Sequence, residues 1–173
     1  MLVGKRGPSY ESVYLRLPRA EEVHLFRGRL AEAIDRRVDD WRDKQIVRLE
    51  PDSVHAVSIR LGRKSYQLSR SGSSWTIHGA PADSAAVATF LGRFRDLSSS
   101  GFASQAEADS ADFAAPERAV RLEGAGSRLL AALAFDSTAS AFWVRREGDS
   151  TVFRLERWTV DPLTPSDSTF RAR

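Results

Sequence analysis

The chain has 173 residues, of which 42% are hydrophobic and 28% charged, a balance typical of a chain that folds rather than staying disordered. Its 26 Lys and Arg and 23 Asp and Glu give a net charge of +3. A nucleic-acid-binding protein typically has a basic stripe with interleaved aromatics, and the sequence has no such stripe. Because cysteine is absent, disulfides, thiolate zinc sites and cysteine nucleophiles are excluded.

Apolar side chains that alternate with polar ones predict strands along the first half of the chain. Val13, Leu15 and Leu17 share one face of "SVYLRL", and "VHLF" resumes after "PRAE", which predicts a hairpin. Three more alternating segments follow, separated by the turn sequences "GRK" and "SGSS": "AVSIRL", "SYQL" and "SWTI". We therefore predict an antiparallel meander.

The period then changes to a helical one. Apolar residues recur at three- and four-residue spacings behind a candidate N-cap, Asp83: Val87, Phe90, Leu91, Phe94 and Leu97. This pattern predicts a helix over 83–98 whose apolar stripe covers a sheet.

Four further strands are predicted after a polar stretch, at 119–124, 128–135, 141–146 and 151–156. The second of them is apolar on both faces, which is typical of a central strand. The predicted fold class is therefore α+β, with antiparallel meanders and hairpins and a few covering helices.

An internal similarity appears when the chain is shifted by 129 residues, because 13–44 then aligns with 142–173 without a gap. Arg16 meets Arg145, and Trp41 meets Phe170. We interpret residues 1–44 as the C-terminal part of a first repeat, a hairpin plus a helix, closed by Trp41 as an anchor. Residues 45–173 are then a complete second repeat, and the chain is expected to begin inside a repeat unit.

The order of these motifs resembles the domain of unknown function 4340 family. The likeness rests on "VYLR", "DWRDK", the pair "IRL" and "YQL", the tryptophan of "SSWTIHG" and the amphipathic helix after "PAD". It continues through "ADFAAPERAVRL" and the closing hairpin "FWVRR" and "STVFRL", so that it covers essentially the whole chain.

The resemblance implies a bacterial protein held at the membrane by an N-terminal segment and associated with gliding-motility-type ABC transport components. The longest apolar run, "LLAALAF", is far shorter than the ~20 residues of a spanning helix. Any membrane anchor is therefore expected outside this chain. The implied location is the extracytoplasmic face of the membrane, with a cytoplasmic location left open. The resemblance carries no catalytic residues.

Catalytic and metal-binding patterns are weak in this sequence. His24, His55 and His78 fall in different predicted strands without the close spacing of metal ligands, and the acidic residues around Trp41 are typical of a solvated face. We therefore predict no catalytic residue, no metal and no cofactor.

The leading hypothesis is a non-enzymatic interaction module of a membrane transport system, with transport-complex proteins as partners and no nucleic acid. The predicted interaction surface comprises Arg16, Arg27, Arg145 and Trp158, and lies on sheet edges or arginine-rich faces. Two alternatives stay open: a glycan- or small-ligand-binding domain that uses exposed aromatics, and a carboxylate-dependent hydrolase. The sequence makes no prediction of the oligomeric state.

Overall fold

The structure, a computed structural model, describes residues 1–28, 30 and 38–172. The chain divides into two compact units, Met1–Asp43 and Lys44–Arg173. This division falls one residue before the boundary between the predicted repeats. Both units are built mainly from antiparallel strands with few helices, which confirms the α+β fold class.

The first unit contains a three-stranded antiparallel sheet in the order β1, β2, β3, formed by Leu2–Arg6, Ser12–Arg16 and His24–Arg27. A turn joins the first two strands. It is stabilised by the Ser12 hydroxyl, which donates to the Ser9 carbonyl and accepts from the Ser9 amide. This sheet contains the predicted hairpin.

The end of the first unit contains Trp41, the residue predicted to close a repeat. The helix predicted after the hairpin, including Ile34, falls on residues 29 and 31–37, outside the described residues. A short 3-10 helix, Val38–Asp40, then precedes Trp41, whose side chain is 68% exposed. The Trp41 side chain therefore lies largely in solvent, and its role as the residue that closes a repeat stays a prediction.

The second unit contains a nine-stranded antiparallel sheet. In chain order its strands are β5 Ala56–Leu61, β6 Lys64–Ser71, β7 Ser74–Ile77, β8 Ala80–Pro81, β10 Gly101–Phe102, β11 Arg118–Glu123, β12 Leu129–Ser137, β13 Ala141–Arg146 and β14 Val152–Glu156. Their spatial order is β10, β14, β13, β12, β11, β5, β6, β7, β8. A separate ribbon pairs β4, Gln45–Val47, with β9, Leu97–Ser98. The predicted meander and the four later strands all belong to the large sheet, and β12 is an interior strand as predicted.

Three helices are described in this unit: α1 Ser84–Gly92, α2 Gln105–Ser110 and α3 Arg157–Val160. Asp83 caps α1, since its carboxylate accepts from the amides of Ala85 and Ala86. A helix reaching residue 98 was a wrong prediction. After Gly92 the amides of Phe94 and Arg95 donate to carbonyls only three residues back, so the chain turns before it enters β9.

One face of the large sheet forms the core with α1 and the C-terminal segment. Val57, Ile59 and Leu68 of the meander lie in the same buried cluster as Val87 and Leu91 of α1. Around them, Phe90 packs edge-to-face on both Phe94 and Phe170. The predicted apolar stripe is thus buried, although Phe94 and Leu97 reach the core from the turn and from β9.

Both edge strands of the large sheet are very short. β8 and β10 contain two residues each, and β8 ends at Pro81, which has no amide hydrogen to donate. Next to β8, Ala82 forms an isolated bridge with Arg171. The two outermost strands themselves therefore offer little free edge.

The hairpin of the first unit and the β13–β14 hairpin share one pairing scheme. Ser12 pairs with Arg27 and Leu15 with His24 in the first hairpin. At positions 129 residues later, Ala141 pairs with Glu156 and Val144 with Phe153. The strand pairing therefore agrees with the aligned positions, and the interpretation as sequence repeats stays a prediction.

Candidate binding groove on the outer sheet face

The predicted surface residues of the first unit do not form one site. Arg16 ends β2 and Arg27 ends β3, and both side chains are exposed. Because these strands are antiparallel, with Arg27 opposite Ser12, the two arginines lie at opposite ends of the hairpin.

The two predicted surface residues of the second unit are also separated. Arg145 pairs with Val152 near the turn of the β13–β14 hairpin. Trp158 lies in α3 beyond the other end of that hairpin and is 77% exposed. Only Arg145 takes part in the groove described below.

The three histidines lie apart in sequence and in structural setting. His24 begins β3, whereas His55 precedes β5 and His78 occupies a turn at a φ of 51° between β7 and β8. The prediction of strand positions for His55 and His78 was therefore wrong, because both lie just outside strand ends. No group of three metal-binding side chains occurs within the described residues.

A groove of about 390 Å³ lies on the face of the large sheet opposite the core. Strand pairing places one row of side chains on this face across β6, β5, β11, β12 and β13: Ser65, Arg60, Ala119, Ala134 and Arg145. Ala132 and Arg121 lie in the next row. The alanines form a low apolar floor, and the two outer arginines of the row flank it.

The segment that joins α2 to β11 forms one wall of the groove. Asp136 of β12 accepts a hydrogen bond from the Asp112 amide, and the Asp112 carboxylate accepts from the amides of Ala114 and Ala115. These bonds fix the backbone on both sides of Phe113. The Phe113 ring then lies 4.5 Å from the Arg145 guanidinium, in a cation–π contact.

The arginines of the groove differ in their electrostatic partners. Arg121 donates to Glu123 at 2.7 Å and to Glu147 at 3.2 Å, and the hydrogen bond to Glu123 raises its pKa further. Arg145 contacts the Phe113 ring and makes no ion pair with a described residue. Arg60 likewise has no side-chain hydrogen bond or ion pair within the described ranges. Two guanidinium groups thus remain able to bind an anion.

The side chains that line this groove give little support for catalysis. They include the hydroxyl groups of Ser58 and Ser65 but no histidine, and their one carboxylate, Glu147, is paired with Arg121. A serine nucleophile needs an adjacent general base. The arrangement therefore suits binding of an anionic ligand with an apolar part.

A second cluster lies beside the C-terminal segment. Asp167 accepts from Arg171 at 2.6 Å and lies 3.4 Å from His78, and the hydrogen bond from Arg171 lowers the pKa of Asp167. Nearby, the Tyr66 hydroxyl donates to the Pro165 carbonyl, and burial raises the pKa of Tyr66. These contacts hold the C-terminal segment against the meander.

Sequence reasoning missed Arg60, Arg121 and Phe113. The polar positions of "AVSIRL" and "AVRLE" already predicted an outward face, but which outward residues are neighbours depends on strand order and register. That order brings together strands that are 50 or more residues apart in the chain.

The described helices include none that is long and apolar enough to cross a membrane. No curated protein and no solved structure matches the chain. A family model, described as Domain of unknown function (DUF4340), matches residues 1–116. The likeness that we extended over 117–173 lies beyond this match and stays a prediction. Because the match covers more than half of its length, the chain belongs to the DUF4340 family.

Proposed function

We propose that the chain is a non-enzymatic interaction module, an accessory of a bacterial ABC-type transport system on the extracytoplasmic face of the membrane. One observation carries the binding role. The outer face of the large sheet holds an open groove with two arginines, Arg60 and Arg145, that lack ion-pair partners among the described residues. The association with a transport system rests on the family resemblance alone, which is an argument by analogy.

The setting of the groove also supports a binding surface. Charge at an interface steers an oppositely charged partner and fixes its register more than it adds to affinity. The short edge strands leave few unpaired backbone groups for strand addition. A partner of the second unit would therefore contact side chains of the sheet face.

Capture of partners from bacterial membranes tests the proposal. The full gene product carrying an affinity tag is compared with its Arg60→Glu and Arg145→Glu variants, and captured proteins are identified by mass spectrometry. Arg63→Glu, in the β5–β6 turn, is the matched control because it makes the same charge change outside the groove. We expect transport-system subunits with the wild type and the control, and their loss with the groove variants.

Location and turnover are tested on the same material. A protein on the extracytoplasmic face is cut by protease added to spheroplasts, whereas a cytoplasmic one is protected. The proposal would be wrong if the protein showed reproducible turnover in a hydrolase panel and a single carboxylate substitution abolished that turnover. The chain would then be a carboxylate-dependent hydrolase.

Glycan binding is a second candidate, favoured by the exposure of Trp158. Exposed tryptophans are frequent in binding surfaces. Binding in a glycan array that is lost in Trp158→Ala but retained in Arg60→Glu would support this candidate.

A further inference from the structure

We infer that the groove binds an extended acidic segment of a partner protein, with two carboxylates four residues apart and an apolar residue midway between them. This inference rests on the proposed binding function and specifies the chemistry of the partner. It follows from the spacing, the charge and the floor of the groove.

The spacing follows from the sheet. Arg60 and Arg145 lie in one row, separated by Ala119 and Ala134 on two intervening strands. Three inter-strand intervals of ~4.8 Å place their Cα atoms roughly 14 Å apart. An extended peptide rises ~3.3 Å per residue, so four residues span about 13 Å, and residues i, i+2 and i+4 point to the same side. Carboxylates at i and i+4 therefore match the two arginines.

The charge favours carboxylates at these two positions. A guanidinium binds a carboxylate through two parallel hydrogen bonds, and the contact with Phe113 restricts the orientation of Arg145. The neighbouring Arg121 is already paired with Glu123 and Glu147. An added anion is therefore accepted at the two ends of the row, where Arg60 and Arg145 make no ion pair with a described residue.

The floor favours an apolar residue between the carboxylates. Ala119 and Ala134 separate the two arginines, and both are only partly exposed. A side chain at i+2 would cover these methyl groups and remove apolar surface from water. A nucleic acid fits less well, because the Phe113 ring already contacts Arg145 and the groove offers no other aromatic ring for base stacking.

The direction of the peptide follows from the same row. A segment that contacts four strands in turn runs across them rather than along an edge. Binding therefore uses side chains and needs no additional strand in the sheet. This mode differs from β-strand addition, in which main-chain hydrogen bonds provide the affinity.

Binding of a synthetic peptide, Gly-Glu-Ser-Val-Ser-Glu-Gly with blocked ends, tests the inference on the full chain by titration calorimetry or NMR. The controls are the same peptide with both Glu replaced by Gln, and a peptide of equal composition with the two Glu adjacent. We expect the first peptide to bind at least roughly tenfold more tightly than either control, as the loss of charged hydrogen bonds implies.

Protein variants locate the site. Arg60→Gln and Arg145→Gln should each weaken binding by roughly tenfold, and Arg63→Gln should leave it unchanged. Phe113→Leu should weaken binding less than Arg145→Gln, because the guanidinium remains. Circular dichroism shows that each variant is folded, which separates loss of the site from loss of the fold.

Several outcomes would overturn the inference. One is equal binding of the paired and adjacent Glu peptides; another is tighter binding of a single-stranded oligonucleotide of similar length. If no peptide binds while membrane capture still depends on Arg60 and Arg145, the acidic segment is wrong and the interaction module stands. If capture is also independent of these arginines, the use of the groove is wrong as well.

Discussion

The β2–β3 and β13–β14 hairpins are paired in the same way but differ in burial, because β3 is exposed along its length whereas β14 is largely buried. At equivalent positions, Phe26 is 41% exposed and Leu155 is 2% exposed. In the second unit this face belongs to the core shared with α1. The comparison shows that one strand-pairing scheme is compatible with different burial, because burial depends on what packs against the strands.

The closing aromatics show the same contrast. Trp41 follows the 3-10 helix Val38–Asp40, whereas Phe170 is the last residue of the 3-10 helix Asp167–Phe170. Phe170 is fully buried, where it contacts the rings of Tyr66 and Phe90, and Trp41 is mostly exposed. Equivalent positions therefore make unequal contributions to stability.

The largest expected loss of stability comes from removing the buried ring of Phe170. Phe170→Ala should lower the free energy of unfolding by roughly 3–5 kcal/mol, because a large buried ring leaves a cavity. Trp41→Ala, at the matched position, should change it by less than about 1 kcal/mol. Denaturant melts followed by circular dichroism measure both. Equal losses would mean that Trp41 is as firmly packed as Phe170.

The next effect sharpens the comparison of the hairpins. Leu155→Ala should cost roughly 2–5 kcal/mol of unfolding free energy. Phe26→Ala should cost less than half as much, since a large part of its ring is already in water. Melts of the two variants provide the measurement, and a larger cost for Phe26→Ala would show that its face is covered in solution.

A smaller effect concerns the helix that covers the core face. Asp83→Ala removes the acceptor for the amides of Ala85 and Ala86 and should cost about 0.5–2 kcal/mol. Ser104→Ala, in the capping box of the exposed helix α2, is the matched control on a helix without buried residues. We expect the Ser104 variant to affect global stability less, measured by thermal melts. The reverse order would mean that α2 is essential to the core.

The smallest effect is a pH dependence at the C-terminal segment. The pKa of Asp167 is lowered in the folded state, so its contribution is present above the unfolded value of ~3.9 and is lost as pH falls through the folded pKa. Asp167→Asn should therefore flatten the dependence of Tm on pH below about 4.

Arg171→Gln gives the matched control for this pH dependence, because it removes the main cause of the shift. Arg171→Gln should flatten the Tm profile in acid less completely than Asp167→Asn, because Ser168 and His78 also lower the Asp167 pKa, and the double variant should match Asp167→Asn. Additive changes in the double variant would contradict a shared ion pair.

Much of the fold was predictable because strands carry a local signal. Alternation in "AVSIRL" and "SWTI" identified strands, and Asp83 identified the start of α1. The end of α1 was missed because Phe94 and Leu97 keep the helical spacing after the helix has ended. Two-residue strands such as β10 are too short to show any period.

The groove was predictable only in part. Arg145 was singled out from an internal similarity, yet its neighbours Arg60 and Phe113 come from distant parts of the chain. Their proximity depends on the pairing of β11 with β5 and on the hydrogen bonds around Asp112. Such long-range pairing leaves no mark in the local sequence of any one strand.

The short edge strands of the large sheet have a consequence for self-association. Long free edges let sheets of separate molecules join and polymerise, and proteins avoid this with short edges and proline. Here β8 ends at Pro81 and is continued by the Ala82–Arg171 bridge, while β10 contains only two residues. The second unit should therefore stay free of fibrils at high concentration, even though its sheet is nine strands wide.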